Sequence, residues 1–432
     1  MATNEAQQKR SSDLNILAFW KAQQKPWRIT VIRTSMERLG YKMILPYLSL
    51  FIILLGATKA QLGLITSLGL IVTAFLGPYL GQLIDRGGPK RVYIIGILIL
   101  MGCYLAFYAA PVWQVAAIGM LLHQLGAGIG GASCASICGN CLASCDRAKG
   151  MLVCESLAAG LLGIVGPMLS GWILVNMMGV TGTPTDPDSI RPLFLITLVI
   201  TGLSLLVVIF RLENIQWGTG SKEKRSVVKD AVAILKADKN CVKWLFCSGV
   251  SAMPMAMVIP YIQVFAAEVK HADAATLAAI TTATAVTSVC LGYFLGILSD
   301  RIGRKKIVIA TILLYIAGLV LLMVTKVQSL LIIVGLMAGF QELGMTLAAS
   351  MQNELVPRSV IGRWQGVVRF FSSTWSAIMA AVAGFLYEAT GGMGVFIIYI
   401  ACELLIRIPL LLSMPETLNY KVDESKFAAL MN

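Results

Sequence analysis

About twelve long runs of mainly apolar residues divide the chain, each bounded by a short cluster of charged, glycine or proline residues. They fall at 29–55, 62–84, 92–110, 113–142, 151–177 and 192–210, and again at 242–266, 274–298, 307–324, 330–351, 364–387 and 393–414. A helix needs about 20 apolar residues to cross a hydrocarbon core of roughly 30 Å, and these runs have that length. Inside lipid every backbone group must pair within the protein, so the spans are helices; a barrel would show short alternating strands. The pattern therefore predicts an all-α integral membrane protein with twelve transmembrane helices. Three polar stretches stand outside it: an arm at 1–27, a charged linker at 211–241 and a tail at 415–432. They leave two bundles of six helices, 28–210 and 242–414. The linker reads as a solvated tether, with a short amphipathic helix at 227–235 as the alternative.

Composition agrees with the pattern. Hydrophobic residues make up 57% of the chain, charged residues only 13%, and mean hydropathy is +0.79; a soluble domain carries roughly 25% charged residues. The formal net charge of +13 matters less than where it lies. Lys9, Arg10, Lys21, Lys25 and Arg28, then Arg86, Lys90 and Arg91, Arg147 and Lys149, the linker, Arg301 to Lys306, and Arg358 and Arg363 fall in alternate connections. By the positive-inside rule these are cytoplasmic, and so are both termini of a multi-pass protein of the cell membrane. That placement removes the reading of the basic excess as a nucleic-acid surface. The polar N-terminus lacks a basic-then-apolar signal, so no cleaved leader is expected.

A charged turn occurs twice. Gly81-Gln82-Leu83-Ile84-Asp85-Arg86-Gly87-Gly88-Pro89-Lys90-Arg91 follows the second run, and Gly296-Ile297-Leu298-Ser299-Asp300-Arg301-Ile302-Gly303-Arg304-Lys305-Lys306 follows the eighth. A second pair of landmarks, Pro46-Tyr47 and Pro260-Tyr261, shares the same offset to within one residue. Two anchors with one offset mark a duplicated unit. The turn resembles the signature loop of the major facilitator superfamily, with Pro89 standing where that family usually has Arg. The stretch Leu121-Leu122-His123-Gln124-Leu125-Gly126-Ala127-Gly128 resembles the family's fourth-helix motif, although Met120 replaces its Arg, so a proton-transfer role does not carry over. Gly163, Gly166, Pro167 and Gly171 in the fifth run are similar to the glycine-proline motif of the family's antiporters, with Leu162 and Ser170 at two glycine positions.

The resemblance implies two pseudo-symmetric six-helix bundles around a central cavity lined by the first, fourth, seventh and tenth helices. It makes Gly81, Asp85, Arg86, Gly88 and Lys90, and Gly296, Asp300, Arg301, Gly303 and Arg304, conformational elements. It also implies a monomeric secondary transporter in the bilayer, working by alternating access on a small molecule, with protons as coupling ion and no cofactor. Export of an amphipathic compound leads; uptake or exchange of an organic anion, and a non-transporting receptor or scaffold on the same fold, are the alternatives. No G-x-x-x-x-G-K-[ST] sequence and no cluster of nucleophile, base and oxyanion donor is readable, so no catalytic residue is assigned.

Ionisable groups within spans cost about 2.5–3.5 kcal/mol each on insertion scales and ask for a function. Arg33 with Glu37, and Arg38 with Lys42, are one turn apart in the first helix, so the first pair is self-neutral while the second puts two cations on one face. Arg38, Lys42, Tyr41, His123 and Gln341 are the candidate substrate contacts. Glu342, near the middle of the tenth run, is the first candidate for carrying a proton, followed by Glu37 and Glu155, with Arg369 as counter-ion. Glu403 and Arg407 read as a structural pair, and Met253, Met255 and Met257 as a pliable cavity wall. Cys134, Cys138, Cys141 and Cys145 form one helical stripe among ten Cys. One straight helix cannot close a tetrahedral site, so the stripe reads as packing and no metal is assigned, with a soft-metal role left as the alternative.

Overall fold

The computed structural model describes residues 20–21, 23–141, 154, 159–213, 227–357, 360–418 and 422–427; side chains at 76–87, 135, 139–140, 159, 227–231, 293, 362 and 424 lie outside that description. Helices α1 (Lys25–Leu54), α2 (Lys59–Gly87), α3 (Pro89–Ala109), α4 (Trp113–Cys141), α5 (Ala159–Trp172, running on as a π turn over Ile173–Met177) and α6 (Pro187–Arg211) build the first half. After α7 (Val227–Ala237) come α8 (Lys239–Glu268, with a π turn at Pro254–Val258), α9 (Ala274–Ile302), α10 (Arg304–Val324), α11 (Leu330–Glu354), α12 (Ile361–Thr390) and α13 (Met393–Ser413, with a π turn at Glu403–Arg407). Among the described residues, ten helices are long and apolar enough to cross a membrane. The charged α1, and α2, whose described side chains reach only Phe75, complete twelve spans. α7 differs from the expected tether: Ile234 on it is fully buried in a cluster with Cys241, Trp244 and Phe427 of the second half. Its apolar face is long enough to cover that cluster, which a solvated chain is not.

The duplicated turn has one backbone form in both halves. Gly88 (φ 76°, ψ 155°) separates α2 from α3 and Gly303 (φ 112°, ψ 138°) separates α9 from α10, a left-handed region that favours glycine. Two residues later each copy has a lysine that caps the last helix of its own half: Lys90 Nζ donates to the Ile209 carbonyl of α6 (2.9 Å), Lys305 Nζ to the Met414 carbonyl beyond α13 (2.9 Å). Cations at helix C-termini complement the dipole. In the second copy Glu416 accepts from the Arg304 and Lys305 amides at the start of α10, and Arg304 pairs with Glu354 (2.7 Å) and Asp300 (3.5 Å). The side chains of Gly81, Asp85 and Arg86 lie outside the described residues, as do Glu155 and Cys145.

An even number of crossings brings Lys25 and Ser413 to one face, here called proximal; the opposite face is distal. Among the described residues, the apolar cluster shared between the halves lies toward the distal face. One large cluster there joins Met43, Tyr47, Phe51, Leu62 and Phe194 to Met253, Met257, Tyr261, Phe265, Leu277 and Tyr387. Toward the proximal face the core divides, with Trp27, Ile97, Ile137 and Val208 in one cluster and Trp244, Ile312, Met351 and Trp364 in another. Among the described residues, a common core at one end and separate cores at the other describe two bundles closed distally, with their proximal cores parted.

The distal closure reuses the repeated Pro-Tyr. The Tyr47 hydroxyl, on the first helix of the first half, donates to the carbonyl of Ala274, where α9 begins (2.7 Å). The Tyr261 hydroxyl, at the matching place in the second half, donates to the carbonyl of Lys59, where α2 begins (3.0 Å). The two bonds are related by the pseudo-symmetry. Around them Lys59 pairs with Glu268 (2.9 Å), and the Glu388 carboxylate accepts from the Ala60 amide (3.0 Å). A Cβ on Gly63 would lie 2.5 Å from the Ala380 carbonyl, and one on Gly384 2.7 Å from that of Lys59, so α2 and α12 meet backbone to backbone.

Candidate substrate and proton site

Lys42, four turns into α1, meets Glu342 of α11 across the two halves, with Nζ 3.5 Å from Oε1. The other carboxylate oxygen accepts from the Ser288 hydroxyl of α9 at 2.7 Å. The Lys42 side chain is 14% exposed and that of Glu342 is 43% exposed, so the carboxylate faces open space while the ammonium is held among helices. A pair this exposed contributes about 0–1 kcal/mol.

Glycines place both members. On α5, a Cβ at Gly166 would stand 2.9 Å from the Leu39 carbonyl and 3.2 Å from Lys42 Cβ, and Gly163 lies beside the lysine stem. Gly171 meets α9 at Ala278, while Ser170 bonds the Pro167 carbonyl (2.9 Å). The glycine-proline stretch thus lets α5 pass between α1 and α9, directly under Lys42. On the other side, Gly335 and Gly339 let α11 lie against α9, where Thr284 donates to the Gly335 carbonyl (3.0 Å) and the Ser288 hydroxyl oxygen lies 3.4 Å from that of Gly339. Glu342 follows less than one turn later, aimed at Ser288.

The remaining candidates divide. Arg38 is exposed one turn proximal of Lys42 and has no ion pair among the described residues. Tyr41, partly buried, stacks on His123 of α4 (centroids 4.6 Å apart, planes at 19°), with Tyr104 on a second side at 6.4 Å. His123 is therefore covered by Tyr41, and its contact with α1 is an aromatic stack rather than a hydrogen bond. Glu37 pairs with Arg33 at 2.5 Å; Arg33 is 2% exposed, sits over the Tyr93 ring and packs against Gly130 of α4. This keeps Glu37 with its own cation. Gln341 is buried, with Nε2 unpartnered among the described residues, and is turned about 100° from Glu342 by the helix period.

Arg369 is exposed on α12 and pairs with none of the candidate carboxylates among the described residues; α12 packs on α2 and α8, whereas Glu342 faces α9. The counter-ion that Glu342 has is Lys42. Glu403 and Arg407 are fully buried in the second half at 2.8 Å, with the Tyr399 hydroxyl donating to the same carboxylate oxygen (2.6 Å). Met253 and Met257 belong to the shared core, and Met255 alone of that cluster is exposed. Ser288, Thr284 and the Gly335/Gly339 pair carry no charge, so sequence reasoning missed them; the G-x-x-x-G spacing ahead of Glu342 was the available signal. An apolar groove of about 470 Å³, lined by Met168, Trp172, Ala279, Val286 and Leu336, runs between α5, α9 and α11 and holds no ionisable side chain.

Residues 32–242 and 244–427 match the family model described as Major Facilitator Superfamily. The chain belongs to that superfamily. It is 26% identical over 313 residues to the multidrug resistance protein MdtG of Enterobacter lignolyticus, covering 70% of each chain. MdtG of Salmonella typhimurium is 25% identical over 293 residues, covering 65% of this chain and 68% of the relative. Among solved structures, the nucleoside transporter NupG superposes with a TM-score of 0.71 at 13% identity over 90% of this chain and all of the other. A D-xylose-proton symporter does so at 0.66 and 13%, over 92% and 99%. These solved neighbours share the fold. As a superfamily member the chain is a multi-pass membrane transporter rather than an enzyme.

Proposed function

We propose that this transporter exports a small amphipathic organic compound in exchange for protons, by alternating exposure of a site between its two six-helix halves, 28–210 and 242–414. The observation that carries the reading is the Lys42–Glu342 pair, which spans the halves beside the parted cores. A proton on Glu342 removes the attraction to Lys42, and a bound compound competes for the same groups. Proton and substrate are then coupled through one contact. The likeness to proteins named for multidrug resistance, and the fifth-helix glycine-proline stretch under Lys42, support export. On this reading the protein works as a monomer in the cytoplasmic membrane with both termini inside, and the proximal opening faces the cytoplasm.

Uptake or exchange of an organic anion is the second reading, favoured by Arg38, a cation one turn from Lys42 with no ion pair among the described residues. Proteoliposomes with an imposed pH gradient and a panel of cationic, neutral and anionic compounds separate the two. Export predicts that cationic or neutral amphiphiles dissipate the gradient, and that Glu342→Gln abolishes this while retaining substrate binding. Dissipation by anions alone, or an unchanged pH dependence in the Glu342→Gln protein, overturns the export mechanism.

A further inference from the structure

Three thiols meet in the proximal part of the first half, away from Lys42 and Glu342. Cys134 and Cys138 lie one turn apart on α4, and Cys154 reaches them from beyond that helix. All three sulfur atoms are within 4.8 Å of one another, Cys134 and Cys154 at 3.9 Å, and all three residues are buried. The Thr34 hydroxyl of α1 approaches Cys134 at 3.9 Å. One straight helix supplies only two converging thiols; Cys154 supplies the third that the sequence alone did not place.

We propose that Cys134, Cys138 and Cys154 form a binding site for trivalent arsenic, presented as arsenous acid. Three-coordinate sulfur ligation at roughly 2.3 Å requires sulfur–sulfur separations of about 3.5–4 Å. The cluster lies within about 1 Å of that, a difference that side-chain rotation covers. Charge selects the ion. Three thiolates around a monovalent or divalent soft metal leave a net negative complex, whereas around trivalent arsenic they leave a neutral one. The surroundings are Trp27, Val31, Tyr93, Ile137 and Val208, and the nearby Arg33 is already matched by Glu37. A buried net charge without a partner is disfavoured there. The reaction balances without an oxidant or reductant: three arsenic–oxygen bonds break, three arsenic–sulfur bonds form, and the three thiol protons leave with the three hydroxyls as water.

The site is independent of the proton-coupled reading, and its test is one of binding. Full-length protein purified under a non-thiol reductant is titrated with arsenite; retained arsenic is measured by elemental mass spectrometry, and its ligands by X-ray absorption. One arsenic per chain with three sulfur neighbours is expected. Cys134→Ser, Cys138→Ser and Cys154→Ser should each weaken retention at least tenfold, while Cys141→Ser, Cys290→Ser and Glu342→Gln leave it unchanged. Size-exclusion profiles and melting temperatures accompany each variant, and Cys→Ala replacements serve where a serine protein fails to fold. Retention that survives Cys154→Ser in folded protein, an equal loss in Cys141→Ser, or tighter binding of cadmium than of arsenite under the same conditions overturns the proposal.

Discussion

Replacing Tyr47 and Tyr261 by Phe removes one atom from each arm of the distal closure and leaves both rings in the shared core. Each hydroxyl bonds a backbone carbonyl of the other half, at 2.7 and 3.0 Å. A hydrogen bond of this kind contributes about 1 kcal/mol net, in a range of roughly 0.5–1.5. In a distally open state the hydroxyl and carbonyl meet water instead, so the substitution weakens the closed state relative to the open one. At 1.4 kcal/mol per factor of ten, each change raises the open population about fivefold, and the pair about thirtyfold if they are independent. Hydrogen exchange followed by mass spectrometry reads this directly, because amides at the starts of α2 and α9 exchange through opening. Exchange should accelerate by about those factors at 59–70 and 274–285 and stay unchanged around Gly88 and Gly303. Equal acceleration at both faces means global loosening, and none at the distal amides means that the tyrosines do not hold the halves together; either result refutes the reasoning.

Gly339→Leu should cost about 1–3 kcal/mol or more, because even a Cβ there would lie 2.5 Å from Thr287 Cβ and 2.6 Å from the Thr284 carbonyl, and a lowered melting temperature with lost substrate binding checks it. Glu416→Gln removes a charge from the start of α10 and should cost about 0.3–1 kcal/mol, read as a small fall in melting temperature that vanishes at high salt; a salt-independent fall points to packing instead. Glu403→Gln leaves the buried Arg407 unpaired and should cost about 3–5 kcal/mol, whereas Glu403→Gln with Arg407→Met should recover much of it; additive losses would show that the pair is not coupled.

The twelve spans were legible because lipid imposes one length and one composition on each of them. The duplicated turn was legible because Gly88 and Gly303 occupy a backbone region that favours glycine. What the sequence could not place was which charges meet. Glu342 was chosen for its depth, but its cation was sought at Arg369, since no one-dimensional signal says that Lys42 lies across the cleft. Pro46-Tyr47 and Pro260-Tyr261 served only as anchors of the repeat; their exchange of bonds between halves follows from the pseudo-twofold axis, which exists only after folding. Cys154 likewise joins Cys134 and Cys138 from outside their helix, a proximity that helical spacing does not give.

The two kinds of contact between the halves differ in what disturbs them, and that difference bears on how the proposed cycle turns. The distal tyrosine bonds involve neutral groups and ignore protonation near neutral pH. The Lys42–Glu342 contact is ionic and partly exposed, and on the proposed reading it is the one on which a proton or a charged ligand acts. The Lys42–Glu342 contact thus lies beside the parted cores, while at the closed face the two tyrosine bonds, unlike the neighbouring Lys59–Glu268 and Glu388–Ala60 contacts, are ones that a proton leaves intact. For a proton taken up at Glu342 to open the distal face, its effect must travel along α1, where Lys42 and Tyr47 are five residues apart, and along α9, where Ser288 and the Ala274 carbonyl lie on the same helix. Both routes are helical, although Pro46 interrupts the hydrogen-bond ladder of α1 between Lys42 and Tyr47. The Tyr47→Phe protein should accordingly show distal opening that responds less to pH than the wild type, because part of what Glu342 must release is already gone; an unchanged pH response of exchange at the starts of α2 and α9 would separate the two contacts.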